Sequence, residues 1–265
     1  MPVIDAHSHI YPDKIACKAS SAVGDFYGVD MNAKNASASS MLAACEGSPI
    51  THHLVHSVAT TPGQVPIIND FIAEQCRQHP EFIGFMAMHQ DYPEPEKEIE
   101  RAIGLGLKGM KLHPDTQQVD MDDPRLMRIY EIIEGRLPLI VHTGDYRYDY
   151  SHPRRLKKVL HAFPNLVVDA AHFGCWSRYE VGYDILHNAD NLFVDASSSQ
   201  FFLGQRRTVE LARMWGTDRI MFGSDYPMWS PAAEYDQFVT AGFSEDELEN
   251  MLWHNAERFA GVKVG

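Results

Sequence analysis

Pro2-Val3-Ile4-Asp5-Ala6-His7-Ser8-His9 opens the 265-residue chain. Val3 and Ile4 are apolar and β-branched, as a buried strand requires. Side chains alternate between the two faces of a strand, so His7 and His9 point the same way. Both imidazoles can then reach one metal ion. Such a pair also arises by chance. Its weight comes from later apolar strands that end in the same kinds of residue.

Short apolar runs recur along the chain, each followed by a segment of helical period. They predict strands at Val3–His7, His53–Ala59, Phe82–Met88, Gly109–His113, Pro138–His142, Leu166–His172, Leu192–Asp195 and Arg219–Gly223. Between them, Ile68, Phe71, Ile72 and Cys76 share one face of a helix over Ile67–His79. Asp123-Pro124 caps and starts another helix, and Ser244 with Glu247 forms a capping box. This alternation predicts parallel strands joined by crossover helices, and eight of them close a (β/α)8 TIM barrel of the α/β class. An open doubly wound sheet would carry a glycine-rich phosphate loop after strand one, and here that strand ends in His-Ser-His.

The length suits one barrel domain over 1–265, with a long insertion between strand one and strand two. That connection, residues 11–49, is expected to hold one helix, Ser40–Glu46. A lid over the site and a surface excursion without a role are equally compatible with it. The net charge is −13 and there is no basic stripe, which argues against a nucleic-acid partner. No stretch is apolar and long enough to span a bilayer, and no secretory signal is expected at the N-terminus. Four scattered cysteines without a CxxC pair point to a reduced, cytoplasmic protein.

In an α/β barrel, catalytic side chains stand at the carboxyl ends of the strands. Those ends carry His7 and His9, then Lys111 and His113, then His142, His172 and Asp225. Imidazole nitrogen and carboxylate oxygen suit Zn²⁺, and also Mn²⁺, Fe²⁺ or Co²⁺. His7, His9, His142 and Asp225 would hold one ion and leave a position open, the mark of a catalytic site. Such an ion lowers the pKa of a water and polarises a carbonyl. Asp225 then serves as the proton shuttle and His172 orients water or stabilises an oxyanion. Lys111 and His113 share a face and are the substrate-binding candidates. Which groups fix the second ring nitrogens of the metal histidines is not legible in the sequence.

The motifs Asp5-Ala6-His7-Ser8-His9, Gly109-Met110-Lys111-Leu112-His113-Pro114, Val141-His142-Thr143-Gly144, Ala171-His172-Phe173-Gly174 and Gly223-Ser224-Asp225-Tyr226-Pro227 stand in the order found in the amidohydrolase superfamily. The chain resembles its amidohydrolase-related (amidohydrolase 2) branch of metal-dependent TIM-barrel enzymes. The resemblance implies a metal-dependent hydrolase of a small amide, lactone or related carbonyl compound. The alternative it carries is a nonoxidative decarboxylase, a lyase, acting on a small carboxylic acid. It implies one Zn²⁺ on His7, His9, His142 and Asp225, with His172 acting on substrate or water. A second metal enters if Lys111 is carboxylated and bridges two ions. A small-molecule substrate is the expected partner, and the resemblance admits a homodimer.

The other histidines have plainer readings. One of His52, His53 and His56 is placed to face the pocket. His79, His152, His161 and His187 fall on helices or their ends, where solvation or capping is the default. Ser224 has no base partner in a nucleophile motif, so serine-hydrolase chemistry is unsupported.

Overall fold

The structure is a computed structural model that describes all 265 residues. Eight parallel strands lie in chain order: β1 (Ile4–His9), β2 (His52–His56), β3 (Phe82–Ala87), β4 (Gly109–Leu112), β5 (Leu139–Val141), β6 (Val168–Ala170), β7 (Leu192–Asp195) and β8 (Ile220–Met221). The segment after β8 returns to β1. Ala6 N donates to Phe222 O at 2.9 Å, and His9 N donates to Tyr226 O at 2.8 Å. These bonds draw the sheet into the expected (β/α)8 barrel.

The helices are α1 (Asp13–Tyr27), α2 (Ala38–Ala44), α3 (Val65–Gln78), α4 (Pro95–Gly104), α5 (Pro114–Gln117), α6 (Pro124–Ile133), α7 (Pro153–Ala162), α8 (Tyr179–Leu186), α9 (Gln200–Trp215), α10 (Pro231–Val239), α11 (Glu245–Glu249) and α12 (Asn255–Ala260). Their starts follow local chemistry. Asp123 accepts from Arg125 N at the head of α6, and Ser244 with Glu247 forms the capping box of α11. No helix is long and apolar enough to cross a membrane.

The expected insertion over 11–49 is not confirmed. That stretch is the β1–β2 crossover, and it holds two helices rather than one. α2 presses the fully buried Met41 into the core. α1 went unforeseen because the face it packs on the protein carries no large apolar side chain. The small residues Ala16, Ser20 and Gly24 face the protein, and a Cβ on Gly24 would stand 2.8 Å from Val29 O.

The barrel interior is layered. Its lower layer is a dry cluster that includes Ile4, Ala6, Leu54, Phe85, Ile140 and Met221, closed from below by Phe259 of α12. Gly109 makes this layer possible, because a Cβ there would lie 2.1 Å from the Phe85 ring. The larger cluster fills the space between sheet and helices. Burying 112 of the residues supplies the driving force for this closed form.

A bulge in β1 sets the polar layer above. Ile4 and Asp5 pair with His52 and His53, but Ser8 and His9 pair with Val55 and His56. One strand therefore spends an extra residue, which shifts the inward face. Ile4 and Ala6 join the dry layer, whereas His7 and His9 line the cavity. A strictly alternating strand would put Asp5 with the histidines. Instead Asp5 accepts from Ser8 Oγ at 2.8 Å, Ser224 N at 2.8 Å and Ser224 Oγ at 2.6 Å. It staples β1 to the segment after β8.

Candidate metal centre

The carboxyl ends of the strands open into one cavity of about 880 Å³. His7, His9, Lys111, His113, His142, His172 and Asp225, all the candidates named from sequence, line it. All of them therefore meet in one cavity, where their nearest approaches divide them into two groups.

His7, His9 and Asp225 come together. Asp225 Oδ1 lies 3.7 Å from His7 Nε2 and 3.5 Å from His9 Nε2. Ligands bound at 2.0–2.2 Å around a tetrahedral ion stand about 3.4 Å apart. The other carboxylate oxygen, Oδ2, accepts from Ser198 Oγ at 2.5 Å. Asp225, His172 and Ser198 hold left-handed backbone angles, with φ of 58°, 61° and 50°. Such angles are rare outside glycine and cluster at functional sites.

The ring tautomers follow from fixed acceptors. His7 Nδ1 lies 2.8 Å from Asp195 Oδ2. Burial pushes the Asp195 carboxyl up, but His7, His172 and Ser197 outweigh it and hold the group well below its ordinary range. An ionised carboxylate only accepts, so Nδ1 carries the His7 proton and Nε2 offers a lone pair to the cavity. Lys111 Nζ, 2.9 Å away, donates to that lone pair.

His172 Nδ1 stands 3.1 Å from Ser197 O, and a carbonyl also only accepts. His172 Nε2 then accepts from His142 Nδ1 at 3.1 Å. This leaves His142 Nε2 unprotonated, buried and without a partner, 3.6 Å from Asp115 Oδ2. His142 thus groups with His113 and Asp115, and the His172 ring lies between it and His7, at 4.9 and 5.0 Å. His113 is occupied: its ring stacks on His142 at 4.0 Å, and its Nε2 bonds Tyr27 Oη at 2.7 Å.

Burial favours the neutral form of five of these imidazoles. Burial, then Lys111 and neighbouring histidines, pulls His9 and His56 well below the ordinary histidine range. Burial does the same to His113 and His142, and it draws His172 down to about 4. Neutral imidazole is the form that binds metal. Burial also pulls Lys111 down to about 8, against Asp225, Asp195 and Asp169. Asp169, inside β6, is pushed well up by burial and by Asp195.

The residues fit a divalent cation by their own chemistry. His7, His9 and Asp225 converge, the His7 Nε2 lone pair faces the cavity, and His9 Nδ1 has no protein partner. His56 was not singled out among the strand-two histidines. It is fully buried, both its nitrogens lack partners, and it groups with His7 and His9. Asp195 was visible only as an acidic strand end. Its task of fixing His7 joins residues 188 positions apart, which no local signal reveals.

Other candidates are engaged elsewhere. Arg147 forks onto Asp145, with Nη2 at 2.6 Å from Oδ2, and its Nη1 donates to Phe26 O at 2.5 Å. Both Tyr146 and Tyr148 are exposed, and of the two Tyr148 lines the cavity. Gly144, with φ of 78°, lets the β5 loop pass Cys175, because a Cβ there would lie 2.4 Å from Sγ.

Comparison with known proteins agrees with this architecture. No curated protein matches the chain. Among solved structures, an uncharacterised TIM-barrel protein from Bordetella bronchiseptica superposes with a TM-score of 0.80 at 20% identity, covering 98% of this chain and 99% of that one. A dihydroxybenzoic acid decarboxylase from Polaromonas sp. JS666, solved with bound manganese and 2-nitroresorcinol, gives 0.74 at 16% identity, covering 98% and 97%. A candidate 2-pyrone-4,6-dicarboxylic acid hydrolase from Pseudomonas putida gives 0.70 at 16%, covering 99% and 98%. At these identities the likeness shows the fold. The amidohydrolase family model matches residues 4–262, nearly the whole sequence, and the chain belongs to that family.

Proposed function

We propose that the protein is a metal-dependent hydrolase of a small amide, lactone or related carbonyl compound. The observation that carries this reading is the placement of Asp225. One of its oxygens faces His7 and His9, and the other is held by Ser198. A divalent ion held there, for which Zn²⁺ suits the imidazole-rich set, would supply Lewis acidity toward water and a carbonyl. His7 and His9 would hold it together with Asp225. His142 would complete the set only with its Nε2 turned away from Asp115. Asp225 Oδ1 takes a proton from the attacking water and returns it to the leaving atom. His172, fixed through Ser197, orients the substrate oxygen. Lys111 anchors an anionic substituent on the cavity floor.

Lys111 also favours a second reading, nonoxidative decarboxylation. It is the one buried cation lining the cavity, and it could hold a carboxylate or its neighbouring hydroxyl. The Polaromonas relative is named as a decarboxylase. Protein purified without chelator is analysed for metal, then screened against lactones, amides and aromatic acids. One equivalent of metal with hydrolysis is the expected result. Release of CO₂ without hydrolysis would install the second reading. Two equivalents per chain would point to a carboxylated Lys111.

A further inference from the structure

We propose that the substrate carries an apolar arm, which lies between α1 and the first turn of α3 while its reacting group sits at the strand ends. The inference rests on the preceding assignment of the reaction centre, and it narrows the substrate class. The cavity is far larger than a small lactone or amide needs. Its volume of about 880 Å³ lies near the top of the range of about 300–1,000 Å³ for pockets that take drug-sized ligands.

The chemistry of the cavity changes along its length. The deep end is polar, with the histidines, Lys111 and Asp225. The outer part is walled by Ala19, Ala22 and Val23 of α1 on one side, with Ile67 and Ile68 of α3 among the other lining residues, and its polar groups, Lys18, Thr60 and Gln64, stand among them. The α1 residues recur at helical spacing, so one continuous strip of the helix faces the cavity. Alanine at 19 and 22 keeps that strip low and leaves room beside it.

At the mouth, Ile15 is 49% exposed and Ile67 is 66% exposed. A lone exposed isoleucine needs no explanation. Two of them lining one cavity, continuous with the candidate metal centre, are different. Water fills that lining poorly, and an alkyl or aryl chain would release it. A docked protein segment fits less well, because the strip runs inward to the histidines rather than along the outer surface.

Two probe series test the arm. Straight-chain hydroxamates from acetohydroxamate to octanohydroxamate, which place a chelating head at the metal, are titrated calorimetrically into the Mn²⁺-loaded protein. The n-alkanols from butanol to octanol, which lack such a head, are titrated in parallel. The expected result is an affinity that rises about fourfold per methylene in both series, the worth of one buried CH₂. Ala22→Phe fills the strip and flattens both slopes. Ile67→Ser shortens the length over which they rise. Lys14→Ala, on the exposed side of α1, keeps them. Circular dichroism verifies that each variant is folded.

Flat slopes in the wild-type protein overturn the arm, whether or not acetohydroxamate binds. Slopes that Ala22→Phe leaves unchanged also overturn it, because the chains then bind elsewhere. If the alkanols show the slope and no hydroxamate binds more tightly than its alkanol, the arm stands and the metal-centre assignment fails.

Discussion

His7 and Asp195 are joined by a buried 2.8 Å bond from Nδ1 to Oδ2, and this bond decides which nitrogen of His7 faces the cavity. The carboxylate holds the proton on Nδ1, so Nε2 is a lone-pair donor before any ion arrives. Replacing Asp195 with Asn lets the amide offer either a donor or an acceptor, and the tautomer is no longer fixed. Loss of such an outer partner typically costs 10–100-fold in metal affinity. Asp195→Asn is therefore expected to weaken Zn²⁺ or Mn²⁺ binding by about 10–100-fold in a competition titration with a chelating dye. Affinity equal to wild type would show that Asp195 serves packing alone.

In the proposed reaction Asp225 has two tasks, holding a ligand position and moving a proton. Asp225→Asn keeps the shape and the contact with Ser198 Oγ but removes the base. Turnover of any substrate found in the screen should fall by about 10²–10⁴-fold, the usual worth of a positioned acid–base group. Metal content, measured on the same sample, separates lost chemistry from lost binding. Undiminished turnover would remove Asp225 from the proton path.

Arg147 fastens the C-terminal end of α1. It donates to Phe26 O, pairs with Asp145, and lies over the Phe26 and Tyr148 rings at 4.8 and 5.2 Å. A cation over a ring and a bond to a terminal helical carbonyl are each worth up to about 1 kcal/mol at partly exposed sites. Arg147→Ala should raise hydrogen exchange of the α1 amides by about tenfold and leave the strand amides unchanged. Exchange that rises throughout the barrel would mean that Arg147 supports the whole fold.

Arg213 on α9 and Glu247 on α11 form a fork, with Arg213 Nε and Nη2 at 2.8 and 2.9 Å from the two Glu247 oxygens. The Arg213 hydrogen bonds, helped by Ser244, hold the Glu247 carboxyl down at about 2, below its ordinary 4.5. A lowered folded-state pKa means stability that is present above pH 4.5 and lost as the pH falls toward 2. Arg213 is exposed, so solvent screening keeps the contribution of the pair small. Glu247→Gln should lower the melting temperature slightly at pH 7, and the difference from wild type should shrink as the pH falls from 4.5 to 2. A difference that stays constant with pH would assign the effect to helix capping rather than charge.

Much of this was readable before any coordinates. All eight strands fall within the predicted runs to within a few residues, because each is a short apolar stretch between helical periods. The strand-end residues line one cavity, as barrel geometry requires. His152, expected on a helix end, caps α7 by accepting from Arg154 N. The failures have physical causes. α1 packs on the protein through the small residues Ala16, Ser20 and Gly24, so the large apolar side chains that mark a buried face are missing there. The neighbours of His142 were not legible either: its Nδ1 lies 3.1 Å from His172 Nε2, whose ring is fixed through Ser197, and its Nε2 stands 3.6 Å from Asp115 Oδ2.

Sequence alone determined the barrel and the chemical types gathered at its mouth, because periodicity is local and parallel strands all end on the same side. Tertiary structure alone decided the β1 bulge, the Asp5 staple, the His7–Asp195 bond, the inward turn of His56 and the length of the cavity. Each depends on contacts between segments far apart in the chain, and alternation along one strand contains no information about what the neighbouring strand supplies.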